Sequence, residues 1–167
     1  MERELLLLGL LRRQKMHGYE LHEFIEQYMQ TCVDLKKSTA YYLLDKLAQK
    51  GYVSQSVEQS GNRPPRHVYH ITPAGEARFQ ELLRENLASH VPVKFGDLVG
   101  LAFLDDIPAE EAIPLLQKRQ EALARSLETA VTVPPHPGSL QLVIQHQTIH
   151  LKTEIAWLDS VINSLKP

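Results

Sequence analysis

Apolar positions recur at helical spacing through the first fifty residues. The run from Glu2 to Arg13, rich in leucine and bounded by charge, predicts a first helix that the polar pair Gln14-Lys15 ends. Leu21, Phe24, Ile25 and Tyr28 then fall at i, i+3, i+4 and i+7, one buried face of a second helix opened by His17-Gly18. Thr31 to Leu35 is a connection. Ala40, Leu43, Leu44 and Leu47 repeat the spacing in a third helix, and Gly51 stands where the residue just past a helix C-terminus is expected.

The period then changes. Residues 52–57 and 67–71 alternate and carry β-branched and aromatic side chains, with a turn-forming stretch from Glu58 to Arg66 between them, which predicts a two-stranded hairpin with a basic tip. Thr72-Pro73 reads as an N-cap followed by proline at the first helical position, so a helix is expected from Pro73 to about Ala88. Beyond Pro92, Phe95, Leu98, Val99, Ala102 and Phe103 form another apolar stripe; a longer helix starts at Pro108-Ala109 and runs to about Ala130, with Glu110 and Glu111 in its first turn. The Pro-rich stretch from Val133 to Ser139 is a stiff linker to a last helix, Leu140 to Leu165. The expected fold is mostly α with a small β-hairpin: a winged helix-turn-helix domain over residues 1–90, including the linking helix, followed by an α-helical dimerisation domain over 91–167.

Composition narrows the partners. The chain has 167 residues, 43% of them hydrophobic, and 18 Lys+Arg against 20 Asp+Glu, so it is no basic coat protein. The charge is unevenly spread: residues 36–78 hold 7 basic and 3 acidic side chains, whereas residues 86–167 hold 6 and 9. An anion is expected to meet the middle of the chain. A single cysteine, Cys32, closes no intrachain disulfide and builds no thiolate metal site, which fits a reduced compartment. The leucine run near the start is short, begins after Glu2 and Glu4 and lacks a small-residue cleavage site, and no segment approaches a membrane span, so the cytoplasm is the expected location and no membrane partner is expected.

Three short helices followed by a hairpin is the order in which the third helix enters the DNA major groove and the hairpin tip touches the flanking backbone. Opposite Leu43, Leu44 and Leu47 the third helix presents Ser38, Tyr42, Asp45 and Gln49, with Thr39 and Lys46 beside them, donors and acceptors suited to base edges and phosphates. An ordinary solvated helix face is the alternative. His17, heading the second helix, is a candidate phosphate donor or else a surface capping residue.

The segments His17-Gly18-Tyr19-Glu20-Leu21, Ser38-Thr39-Ala40-Tyr41 with Leu44-Asp45-Lys46-Leu47, Gly51-Tyr52-Val53, and Arg66 through Gly75 resemble the signature of PadR-family transcriptional regulators over residues 5–78. Leu115-Leu116 with Arg119, and Glu154-Ile155-Ala156-Trp157-Leu158, are similar to the longer subfamily with a virulence-activator-alpha type C-terminal helical domain. The resemblance implies a homodimeric winged-helix regulator, usually a repressor, on a pseudo-palindromic double-stranded DNA operator, several members releasing DNA when a small aromatic or phenolic compound binds. It places Thr39 and Tyr41 in the recognition helix and Arg63 and Arg66 in the wing. Lys36-Lys37 departs from the family's small residues there, weakening the N-cap while adding two donors to phosphate. The expected DNA-contacting set is His17, Tyr19, Lys36, Lys37, Ser38, Thr39, Tyr41, Tyr42, Lys46, Arg63 and Arg66.

On the last helix Leu151, Ile155, Leu158 and Ile162, with Trp157 beside them, offer more apolar surface than a small helical half needs, and they are the expected dimerisation residues. His146 and His150 have the i, i+4 spacing of a metal pair but no third ligand, so a solvated or interfacial pair is expected, with no metal and no cofactor. The chain has no nucleophile motif and no phosphate-binding glycine loop, and its adjacent carboxylates, Asp105-Asp106 and Glu110-Glu111, suit helix starts. A DNA-binding regulator is therefore the leading reading, favoured by the basic middle stretch and wing; a winged helix used only for protein contacts and a small enzyme are the alternatives.

Overall fold

The first helix, α1 (Glu2–Arg13), has acids in its first turn and Arg12 and Arg13 in its last, so charge complements its dipole at both ends, and it buries Leu7, Leu8, Leu10 and Leu11. The computed structural model describes residues 1–13, 16–17, 20–21, 23–25, 33–58, 66–93, 95–135 and 138–166, with residues 16, 17, 58 and 66 described by their backbone. It comprises two units, Met1–Pro92 and Val93–Pro167.

In the first unit α1 is followed by β1 (Met16–His17), the helical residues 20–21 and 23–25 (α2), α3 (Lys37–Gln49), β2 (Val53–Glu58), β3 (Arg66–Ile71) and α4 (Pro73–Ala88). The sheet order is β1-β3-β2 with both pairings antiparallel, Met16 opposite Tyr69 and His17 opposite Val68 on one side, and Val53 opposite Ile71 through Glu58 opposite Arg66 on the other. This corrects the expectation that His17-Gly18 opens a helix: His17 is a strand residue. The hairpin with β2 satisfies one edge of β3, and two residues suffice to pair with the other, too few to leave an alternating pattern.

Leu7, Leu8, Leu21, Ile25, Leu44, Tyr69 and Leu82 are almost wholly buried in one cluster, so Leu21 and Ile25 of the face expected for the second helix, with Phe24 packed beside them, share a core with α1 and α3; Tyr28 lies outside the described residues. Burying each such side chain stabilises by about 1.5–3 kcal/mol. The root of the hairpin is tied at both ends. Gly51, with φ +74°, ends α3 in the left-handed region, its N–H donating to the Ala48 carbonyl at 2.9 Å while the Tyr52 N–H donates to Leu47 at 2.9 Å. Thr72 caps α4 by accepting from the Gly75 N–H at 3.0 Å, donates its hydroxyl to the Gly51 carbonyl at 2.6 Å, and gives its own N–H to the Tyr52 carbonyl at 3.1 Å. Arg12 joins α1 to α4 by donating to both carboxylate oxygens of Glu76, at 2.7 and 2.8 Å, and lies 5.4 Å from the Phe79 ring centre. Those hydrogen bonds, with one from Gln80, hold the Glu76 carboxyl below its ordinary pKa.

The second unit contains a 3-10 segment (Gly96–Asp106), α5 (Ala109–Thr132) and α6 (Leu140–Ser164). Its core is Leu116, Leu158 and Ile162, with Leu101, Leu104, Ile113 and Leu123 packed against them. Of the apolar stripe expected on Phe95, Leu98, Val99, Ala102 and Phe103, Leu98 is half-buried and the other four are exposed. A 3-10 segment repeats every three residues, so Leu101 and Leu104 turn inward and the four-residue spacing points away. Arg119 of α5 donates to the Asp97 carboxylate at 2.6 Å, the Asp97 carbonyl at 3.1 Å and Glu154 of α6 at 2.5 Å, joining all three elements through one planar fork.

Candidate nucleic-acid interface

Helix α3 buries Ala40, Leu44 and Leu47 and exposes Lys37, Ser38, Tyr42, Asp45, Lys46 and Gln49; Thr39 and Tyr41 are half-buried on its flanks. At about 100° per residue, Ser38, Tyr42 and Gln49 lie along the middle of the exposed face, with Asp45 and Lys46 on opposite sides of it. Tyr42 is a large aromatic left 56% exposed, and the Lys46 ammonium lies 4.7 Å from its ring centre. That contact holds a flexible cation near one place, worth about 0.5–1 kcal/mol at an exposed site. Lys36, the N-cap residue, has extended backbone and makes no side-chain cap, so the first turn of α3 leaves its N–H groups to solvent or to an anion, with the exposed Lys36 and Lys37 beside them.

The hairpin stands beside this helix. Tyr69 of β3 is buried; its phenol accepts from Gln55 Nε2 at 3.4 Å, and burial, then the charges at Asp45 and Tyr41, push its pKa up. On the outer side Ser56 Oγ and His70 Nε2 are 3.2 Å apart, and His67 is exposed. Arg66 is placed at the start of β3 opposite Glu58, and His17 at the far edge of the sheet, by backbone. Tyr19, Arg63 and Cys32 lie outside the described residues. Of the expected contact set, Lys36, Lys37, Ser38, Thr39, Tyr41, Tyr42 and Lys46 are brought together on one helix.

Helix α6 requires a correction. Leu158 is 0% and Ile162 4% exposed within the isolated chain, because both pack on Leu116 of α5, and Leu151 and Ile155 are half-buried on the same side. Leu158 and Ile162 are therefore internal core and present no surface to a partner. Periodicity marks an apolar face without saying what covers it. Trp157 is 44% exposed on the other side of α6, along with Ile149 and Leu142. His146 and His150 share that outer side, the His150 ring lying 6.4 Å from that of Phe95, and no group able to hold a metal ion occurs among the described residues. The sequence reading set Asp45 on the outward face of the third helix but not in the expected contact set, left out Lys50, and gave Arg119 no role although its pairing with Glu154 organises the second unit; Asp45 and Lys50 are both exposed on or just beyond α3. No helix among the described residues is long and apolar enough to cross a membrane.

Comparison with known proteins bears on this geometry. Residues 7–81, which include the second half of α1, α3, the hairpin and the first half of α4, match the Transcriptional regulator PadR-like family. The chain is similar to the negative transcriptional regulator PadR of Bacillus subtilis (strain 168), 25% identical over 170 residues that cover 93% of each protein. Its fold is similar to that of Bacillus subtilis PadR in complex with operator DNA, with a TM-score of 0.85 at 20% identity over 98% of both chains. It is also similar to the same regulator in complex with p-coumaric acid, with a TM-score of 0.79 at 20% identity over 97% of both. The motifs around Gly51 and from Arg66 to Gly75 are the residues that tie the hairpin to α3 and α4, and they lie within residues 7–81, the part of the chain that matches the PadR-like family of transcriptional regulators.

Proposed function

We propose that this protein is a cytoplasmic, sequence-specific DNA-binding repressor that acts as a homodimer on a pseudo-palindromic operator and catalyses no reaction. The observation that carries the reading is the outward face of α3, where Ser38, Tyr42 and Gln49 stand free of the core between flanking charges, with two lysines at an uncapped helix start. In this reading Ser38, Thr39, Tyr42 and Lys46 meet base edges, and Lys36, Lys37, His17 and Tyr19 hold the backbone. Tyr41, on the flank of the buried face, serves packing as well as contact. Arg63 and Arg66 take the phosphates reached by the wing.

Residues 1–90 form the DNA-binding domain and residues 91–167 pair two copies. One recognition helix reads few base pairs, so two at fixed separation are needed for an address. The surface available for pairing is the outer side of α6, anchored by Trp157; Leu158 and Ile162 support it from within, with Leu151 and Ile155 half-buried beside them. The structure of the Bacillus subtilis regulator in complex with p-coumaric acid supports a small aromatic effector for this protein, which in this reading releases the DNA.

The test is capture of sheared genomic DNA by the full-length protein, with sequencing and footprinting of what is retained. Two symmetric protected half-sites, one helical turn or a multiple apart, are expected; retention of no fragment above background overturns the reading.

A further inference from the structure

Four lysines and one acid lie between residues 36 and 50, and the acid, Asp45, is exposed on the face of α3 that reads DNA in the function proposed above. Asp45 makes no ion pair or hydrogen bond among the described residues. Its neighbour Lys46 points about 100° away around the helix and is engaged with the Tyr42 ring. The carboxylate therefore keeps its charge uncompensated on a surface that must approach an array of phosphates. Against phosphate oxygens, or the O6 and N7 acceptors of guanine, an ionised carboxylate has nothing to donate and is repelled. In the major groove it can accept only from an exocyclic amine, and the pairing of carboxylate with cytosine N4 is the one that groove geometry favours.

We infer that Asp45 is a specificity-determining residue: it accepts from a cytosine N4 amine at one position of each half-site and, by repulsion, lowers affinity for every duplex lacking an amine there. The inference rests on the DNA-reading role of α3. It assigns a negative charge to discrimination at the expense of strength, the repulsive element that selective interfaces use beside their attractive contacts.

The experiment starts with selection of wild-type protein on a random-sequence duplex library, then replaces each base pair of the recovered site in turn and measures binding by wild type and Asp45→Asn. If the wild type enriches nothing, the proposed function fails and Asp45 is not at issue. If it does, Asp45→Asn should bind random duplex more tightly than wild type, with a ratio of specific to random affinity lower by about tenfold, and lose its preference at one cytosine-bearing position per half-site while keeping the rest. A carboxylate that only tunes the hairpin through Tyr69, or is merely solvated, changes affinity for all duplexes by one factor and leaves every base preference in place. That outcome overturns the inference. Asp45→Glu, which keeps the charge and lengthens the reach, should retain weak binding to random duplex even if the cytosine preference falls.

Discussion

Replacing Gly75 by alanine is expected to destabilise the first unit although it exchanges a poor helix former for the best one. Gly75 lies in the first turn of α4, and a Cβ built there would stand 1.9 Å from the Tyr52 carbonyl oxygen and 2.9 Å from Ile71 Cγ1. The nearest obstacle is backbone, so no rotamer change relieves it; the hairpin root and α4 must separate by about 1.5 Å to restore ordinary contact. The Tyr52 carbonyl accepts the Thr72 N–H at 3.1 Å, and separation breaks that bond. Overpacking of this kind costs about 1–3 kcal/mol and the broken hydrogen bond about 1 more, against a helix-propensity gain of up to about 1, leaving Gly75→Ala less stable by roughly 1–3 kcal/mol. Urea unfolding followed by circular dichroism gives the stability, and hydrogen exchange at the Thr72 amide reports the broken contact. Gly100→Ala, where an added Cβ meets nothing within 4 Å, is the control and should be neutral. A Gly75→Ala protein as stable as wild type, with Thr72 still protected, refutes the account of how the hairpin is anchored.

Tyr42→Ala should lower affinity for the operator by about 1–3 kcal/mol and relax preference at particular positions, whereas Arg63→Ala and Arg66→Ala should weaken all duplexes alike and make the salt dependence shallower; fluorescence anisotropy on specific and random duplex separates the two. Leu158→Ala should cost about 2–5 kcal/mol in unfolding experiments because it empties a closed core, while Trp157→Ala should keep helix content and shift light scattering toward monomers. The Glu76 carboxyl titrates below its ordinary value in the folded chain, so its contribution to stability is present above the unfolded pKa and is lost as pH falls through the lower folded one. Arg12→Gln should shrink that acid-side loss, leaving the part due to the hydrogen bond from Gln80, as pH-dependent unfolding will show.

Elements that bury a face leave a readable period, and α1, the apolar side of α3, the hairpin, the Thr72 cap and the Gly51 terminus are all legible from residue type and spacing. Strand β1 is not, because backbone pairing to an open sheet edge demands no side-chain pattern. Residues 96–106 mislead for a related reason: their leucines are compatible with either helical period, and only packing against Leu116 and Ile162 selects the tighter one. In α6 the apolar residues are legible but their partner is not, so Leu158 and Ile162 read as interface when they close the unit's own core. The polar side of α3 is visible by elimination; the contact of Lys46 with Tyr42, and the lack of an ion pair or hydrogen bond at Asp45 among the described residues, appear only with side chains in place.

The salt dependence of binding to the duplex recovered by selection, measured by anisotropy beside a shuffled duplex and with the stoichiometry fixed, tests the central claim most directly. Two protomers per duplex and a steep fall of affinity with salt, corresponding to release of about 6–10 counterions, are predicted, with the shuffled duplex bound at least about a thousandfold more weakly at physiological salt. Equal binding of the two duplexes, or an affinity indifferent to salt, contradicts the claim that this protein reads DNA.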